Sequence, residues 1–378
     1  RLDNGVSRWE ITGSLFRRWL TLTIFAIVLG NAYANGTSTS PAWMVQVFNI
    51  LLWGVMFMSL VRIPDEKKGK LINNTGMFLL VVMAYVRIDF FGVPLSRWSS
   101  DIIIMILANI AIWGGLIWMF TKDSLKLRWL VLFFIAGIKA VSSYAPEALA
   151  WVPQMNFIGW FFNWAYLQYL VIALAGSIVG DMLLTQSRKN ETVDIDNNHI
   201  AAGIIALVAA LVQLWGLFTR NVLTDFIISG VLGVFFVALT IKRRNVMTEI
   251  GYIGFALMLV GIIFDPIDGG ITKDHCNLSY MLTTSGMTAL TGAFILALEF
   301  RWHIKGRGLS GSGQNPMLAY TVTNFLTGPI LALCGILPWL DRISVGSPFW
   351  GMFRGLFITL LMVAVTCFFT KKKLFWRS

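Results

Sequence analysis

Residues 199–265 read HIAAGIIALVAALVQLWGLFTRNVLTDFIISGVLGVFFVALTIKRRNVMTEIGYIGFALMLVGIIFD. Three apolar runs, near 199–218, 223–241 and 249–265, are separated first by Arg220 and then by the cluster Lys242-Arg243-Arg244. A hydrocarbon layer about 30 Å thick is crossed by about 20 residues of helix, because each residue rises 1.5 Å and every backbone polar group must be paired inside the segment. The stretch therefore reads as three consecutive membrane helices joined by short turns.

Working outward, similar runs lie near 17–34, 41–61, 76–93, 101–121, 128–145, 157–184, 277–300, 316–338 and 348–370, so the spacing predicts twelve spans in all. Composition agrees: 57% of the 378 residues are hydrophobic and 13% are charged, where a soluble chain carries about 25% charged residues. The net charge of +11 would suggest nucleic acid in a soluble protein, but here the basic residues punctuate apolar runs, and no nucleic-acid partner is expected. Lys and Arg mark cytoplasmic loops. Of the 30 basic residues, 23 fall in one set of alternate connections, 4 in the other set and 3 inside the runs. One misplaced span would scramble that alternation. The expected architecture is an all-α, polytopic bundle of about 10–12 transmembrane helices, a single domain over 1–378 with both termini cytoplasmic. Three cysteines, Cys276, Cys334 and Cys367, are too few and too scattered for a disulfide framework or a structural zinc site.

Ionisable groups at bilayer depth cost at least about 2.5–3.5 kcal/mol each on the insertion scale, so each is a functional candidate. Arg87 and Asp89 either form one end of a polar cavity or lie at the interface, where arginine snorkels. Lys139 is either a buried cation or a snorkelling one, and Arg354 suits the interface. The loop Asp265-Pro266-Ile267-Asp268-Gly269-Gly270-Ile271-Thr272-Lys273-Asp274-His275-Cys276 is the richest chemical cluster on the outward side. His275, oriented by Asp265 or Asp268, has the residue types of a general base; alternatively the carboxylates cap a turn and the following helix. Metal binding there would mix hard and soft ligands at irregular spacing, and none is expected. On the cytoplasmic side Arg17, Arg18, Arg243, Arg244, Arg301 and Lys305 are placed to grip the phosphates of a nucleotide-like carrier, or else serve topology alone.

Two segments are more specific. Lys273-Asp274-His275-Cys276-Asn277-Leu278-Ser279-Tyr280, followed by a span and then Gly313-Gln314-Asn315-Pro316-Met317-Leu318-Ala319-Tyr320, resembles the C-terminal signature of the heparan-α-glucosaminide N-acetyltransferase-like family. Phe16-Arg17-Arg18-Trp19-Leu20, Leu29-Gly30-Asn31, Met44-Val45-Gln46-Val47 and the run Ile172 to Gly180 follow in that family's order, closest to its bacterial relatives. The resemblance implies a multi-pass protein of the bacterial inner membrane. It would take acetyl-CoA, the acyl donor, from the cytoplasm and acetylate an amino or hydroxyl group of a sugar or glycan acceptor on the other side, with no metal and in a form compatible with a homo-oligomer. A base must then deprotonate the acceptor, and a donor must hold the developing oxyanion. His275, Asp265, Asp268 and Asn315 are the catalytic candidates, with Asn315 alternatively a helix cap before Pro316. Arg87, Asp89, Lys139 and Lys273 are the candidates for contact with the acceptor. The family's outer-face His segment, which follows its first core span, has no counterpart in these residues, so the resemblance also implies a His-bearing segment before residue 1 or a relative that lacks it. Two rival readings are a secondary transporter of a small polar or sugar-like substrate and a catalytically incomplete membrane protein.

Overall fold

Apolar periodicity decides where helices lie, and small polar residues decide where they begin. The structure, a computed structural model, describes residues 5–32, 40–63, 65–91, 96, 99–152, 156–189, 193–274, 276–304 and 306–376, with the side chains of 32, 89–91 and 156–158 also outside the description. The helices are α1 (Arg8–Ala32), α2 (Ala42–Leu60), α3 (Glu66–Phe91), α4 (Ile102–Thr121), α5 (Leu125–Tyr144), α6 (Trp164–Lys189), α7 (Asn197–Thr219) and α8 (Val222–Thr240). They continue with α9 (Val246–Phe264), α10 (Leu278–Trp302), the short α11 (Arg307–Gly313), α12 (Pro316–Leu333), α13 (Ile336–Ser344) and α14 (Pro348–Lys371). Among the described residues, 11 of these are long and apolar enough to cross a membrane. Among the described residues, strand is confined to two short ribbons, 61–62 with 375–376 and 156–158 with 162–163. The chain is an all-α, polytopic membrane protein.

Each of the twelve expected spans falls on a helix, and the differences have local causes. Helix α1 starts at Arg8, well ahead of 17, because the Ser7 hydroxyl accepts the Glu10 N–H at 3.2 Å, a cap that paired hydrogen bonding rewards regardless of apolarity. Helix α3 likewise gains a polar first two turns, since Asp65 accepts the N–H groups of Lys67 and Lys68, each at 3.1 Å. The run expected over 316–338 is split by Gly335, whose φ of 73° lies in the left-handed region that favours glycine. Within α12 a wide turn at Thr323–Thr327 precedes Pro329, which has no N–H to donate. Helix α5 is 20 residues long and carries Lys126, Arg128 and Lys139.

Two compact units divide the chain: Arg1–Trp19 with Ile106–Lys305, and Leu20–Met105 with Gly306–Ser378. The first unit has its core in two clusters, one around Leu174, Ile178, Leu257 and Met281 and one around Ala206, Phe236, Met258 and Leu290. Helices α9 and α10 approach most closely where glycine removes a side chain. A Cβ at Gly286 would lie 2.5 Å from the Met258 backbone nitrogen, and one at Gly261 would lie 2.5 Å from that of Thr283. In lipid, close packing of small residues replaces the hydrophobic driving force between helices. In the second unit the rings of Trp53, Phe57, Phe369 and Trp376 cluster at centroid distances of 5.0–6.4 Å, which fixes the strand at 375–376 against 61–62. The Asn31 side chain closes the turn before α4, donating to the carbonyls of Ser96 and Ser99 and accepting the Ser96 N–H at 2.7 Å.

Gly286→Ala is expected to cost about 1–3 kcal/mol through overpacking, whereas Gly292→Ala on the same helix, with nothing within 4 Å of its Cβ, leaves stability unchanged. Thermal unfolding of the two variants in the same detergent checks the difference, and equal midpoints would remove the close-packed seam.

Candidate functional site

A buried ion pair organises one end of the first unit. The Arg128 side chain is fully buried and its Nη1 donates to Asp181 Oδ2 at 2.5 Å. The same guanidinium donates through Nε to the Thr121 hydroxyl at 3.1 Å and through Nη1 to the Ser177 carbonyl at 3.3 Å, and it lies 5.9 Å from the Trp118 ring centroid. The Trp118 indole N–H donates to both Asp181 oxygens at 3.1 Å. Burying a guanidinium is tolerated only when charge and hydrogen bonds are both matched, and these partners supply the match to Arg128 of α5 from α4 and α6.

Next to that pair opens a cavity of about 810 Å³. Its walls are the last turns of α4 and α6, the start of α7, and the turn between α8 and α9. Five cations line it, Lys122, Arg188, Lys189, Arg243 and Arg244, against two carboxylates, Asp181 and Asp194, one of which is already paired with Arg128. The balance favours an anion. A second groove, of about 480 Å³ between α6, α9 and α10, is lined by residues such as Val179, Leu183 and Ile250 with three hydroxyls and no charged group, so it offers nothing to a phosphate.

Capping geometry holds the arginines of the cavity in place. Asp196 caps α7: it accepts the His199 N–H at 3.0 Å and contacts His199 Nδ1 at 2.7 Å, while Arg243 approaches its other oxygen at 3.3 Å. His199 Nε2 lies 2.9 Å from the Arg243 carbonyl, tying the two turns together. The His199 N–H, helped by the His199 ring and Arg243 and opposed by burial, holds the Asp196 carboxyl below its ordinary range. Arg244 reaches Glu249 at 3.9 Å and lies 5.6 Å from the Tyr252 ring centroid. Both guanidiniums remain more than half exposed, so they can turn to an incoming anion.

Of the six cations proposed for phosphate, Arg243 and Arg244 line this cavity. Arg17 and Arg18 lie inside α1, exposed and away from it, Arg301 is in the last turn of α10, and Lys305 is outside the described residues. Lys122, Arg188 and Lys189 had counted only as topology markers, and their convergence with Arg243 depends on helix packing that spacing does not encode.

On the opposite end of the first unit the loop carboxylates are structural ligands. Asp265 is buried and takes both Arg220 nitrogens, each at 3.3 Å, together with the Ile271 N–H at 2.8 Å. Gly270 at φ 114° makes room, since a Cβ there would lie 2.6 Å from Arg220 Nη2. Asp268 accepts the Ser279 N–H at 2.7 Å and the Tyr144 hydroxyl, and Lys139 lies within its electrostatic reach. The fold thus joins Lys139 of α5 to Asp268 across more than a hundred residues. Lys273 is exposed, and its carbonyl accepts the Cys276 N–H at 3.0 Å. Cys276 is buried, and burial pushes its thiol up, against smaller opposing effects of Tyr169 and Lys139; a thiol so held is a poor nucleophile. His275 lies outside the described residues, as does the side chain of Asp89.

In the second unit Arg87 is buried on α3. Asn315 is buried too, but its amide neither caps α12 nor faces a cavity: Nδ2 donates to the Leu374 carbonyl and Oδ1 accepts the Trp376 N–H, both at 3.0 Å. Those bonds hold the C-terminal strand. Arg354, expected at the interface, pairs through Nε with Asp341 at 2.7 Å.

Among known protein families, one described as a domain of unknown function (DUF5009) matches residues 3–183, a stretch that includes Arg128 and Asp181. No curated protein matches the chain, and no solved structure does.

Arg128→Met is expected to lower stability by about 3–5 kcal/mol by stranding the Asp181 carboxylate, and Arg128→Met combined with Asp181→Leu to recover most of that loss. A double-mutant cycle on thermal unfolding measures the coupling, and additive losses would deny it. Because the Asp196 carboxyl is held low, the stability it contributes is complete above the ordinary aspartate range and lost as pH falls below about 4. The deficit of Asp196→Ala should therefore shrink between pH 5 and pH 3, both values set by about one unit either side of that range; a constant deficit would show that the charge contributes nothing.

Proposed function

We propose that this protein is an acyltransferase of the heparan-α-glucosaminide N-acetyltransferase-like type, embedded in a bacterial cytoplasmic membrane with its basic cavity inward. The observation that carries the reading is that cavity, where five cations face two carboxylates at helix ends, beside a buried ion pair that holds its walls. A CoA carrier presents phosphates, and exposed guanidiniums match phosphate oxygens in a bidentate fork. Arg243 and Arg244 would hold those phosphates, with Lys122, Arg188 and Lys189 adding to the field. The segments 273–280 and 313–320 support the family reading independently of the cavity.

In the reaction, an acceptor amine or hydroxyl attacks the thioester carbonyl, the carbon–sulfur bond breaks, and CoA leaves as the thiol after taking a proton. His275 is the residue assigned to accept the acceptor's proton. Asp265 and Asp268 act through their backbone caps, shaping the loop that carries His275. The acceptor is a sugar on the face opposite the cavity.

Radiolabelled acetyl-CoA should bind the purified protein in detergent and be displaced by CoA. Arg243→Gln with Arg244→Gln should weaken that binding at least about tenfold, the value of one lost charge-assisted hydrogen bond, while Arg17→Gln with Arg18→Gln leaves it unchanged. If both double variants bind alike, the cavity does not hold CoA. Sugar flux in proteoliposomes without any dependence on CoA would replace the acyltransferase reading with a transporter.

A further inference from the structure

Two carboxylates of the first unit are buried to the same depth, Asp265 of the loop and one that neither the cavity nor the loop uses. Asp225, in the first turn of α8, is 1% exposed. Among the described residues it has no cation within ion-pair distance, and the neighbouring Arg220 pairs with Asp265 at 3.3 Å. Ser229, one turn further along α8 and fully buried, donates to Asp225 Oδ1 at 3.4 Å. From α7, the fully buried Gln213 side chain lies within hydrogen-bonding reach of the carboxylate, and neither its oxygen nor its nitrogen has another partner among the described residues. Gly216 makes this approach achievable, since a Cβ there would lie 2.3 Å from Asp225 Cγ. A carboxylate without a cation and an amide whose one neighbour is that carboxylate thus share one buried seam between two membrane helices, where each unsatisfied group costs several kcal/mol.

We infer that Asp225, Gln213 and Ser229 form a binding site for one sodium ion. The donors are a carboxylate, an amide carbonyl and a hydroxyl, all hard oxygens suited to a hard cation. One carboxylate balances one positive charge, so a monovalent ion leaves the seam neutral. A divalent ion would leave a net charge in hydrocarbon. A proton on Asp225 is the competitor, because an acid–amide pair would satisfy both Gln213 atoms, and the salt exchange below separates the two. A sodium ion takes the Gln213 oxygen and the carboxylate together. The charged groups facing the seam from neighbouring elements are Asp265, which is electrostatically coupled to Asp225, and Arg220, which Asp265 neutralises. The site lies toward the α7–α8 turn, at the opposite end of α8 from Arg243, so the ion enters from the face away from the basic cavity. This inference does not rest on the acyltransferase reading.

The test is thermal unfolding of the full chain in detergent at fixed pH and ionic strength, with N-methylglucamine chloride exchanged for sodium or potassium chloride. The midpoint should rise saturably with sodium, by about 5 °C at a hundredfold excess over half-saturation, and only slightly with potassium. Radioactive sodium should bind once per chain. Asp225→Asn should abolish both effects. Gln213→Leu, which removes the buried amide and so folds without sodium, should also lose the sodium response. Equal midpoints in all three salts would overturn the site, as would an equal rise with potassium or a sodium response that survives in Gln213→Leu. A midpoint that follows pH but ignores sodium would show Asp225 to be a protonated acid instead.

Discussion

The Arg128–Asp181 pair is the constraint on which the first unit's functional end depends. A guanidinium with no exposed surface and a carboxylate at 2.5 Å persist inside an apolar bundle only because Thr121, Ser177 and Trp118 complete the set of partners. Those partners come from α4 and α6 and Arg128 itself from α5, so the pair fixes the ends of α4 and α6 relative to the first turn of α5. The walls of the basic cavity are those same turns. A pair of this kind adds little net stability over an apolar replacement; what it adds here is a fixed arrangement of charge.

Around that fixed wall, charge is handled differently at the two ends of the unit. At the basic end, cations outnumber carboxylates and Arg243 and Arg244 keep more than half their side-chain surface exposed. At the other end, acidic groups are consumed by local bonds: Asp265 by Arg220 and Ile271, Asp268 by Ser279 and Tyr144. The first arrangement leaves cations open to a ligand, and in the second the two carboxylates are held by protein partners. Between them, α9 and α10 pack through glycines rather than through large side chains, which gives the unit a rigid centre on which both ends are mounted.

Much of the fold was legible because the membrane imposes a length. Each expected span coincides with a helix, and the errors lie at ends, where Ser7, Asp65 and Gly335 act through single hydrogen bonds or a single dihedral that apolarity does not report. The site was only partly legible. Arg243 and Arg244 stood out as a cluster beside a span, but Lys122, Arg188 and Lys189 looked the same as every other topology marker. Arg128 was counted among those markers too, although it is buried. Asp225 sits in an apolar run close to a turn, and only its burial beside Gln213 and Ser229 distinguishes it from an interfacial acid. Asn315 drew attention for its place before a proline, whereas its amide binds a strand some sixty residues later.

Residue order alone determined that the chain crosses a membrane many times as helix, since backbone pairing in hydrocarbon leaves no other solution for runs of that length. It also determined the alternation of basic and poor connections, because that is a property of position along the chain. Which cations share a cavity, which carboxylates are neutralised and which polar groups are left unpaired were decided only by tertiary structure. The reason is that these depend on distances between side chains on different helices, and helix rotation and packing set those distances independently of sequence separation.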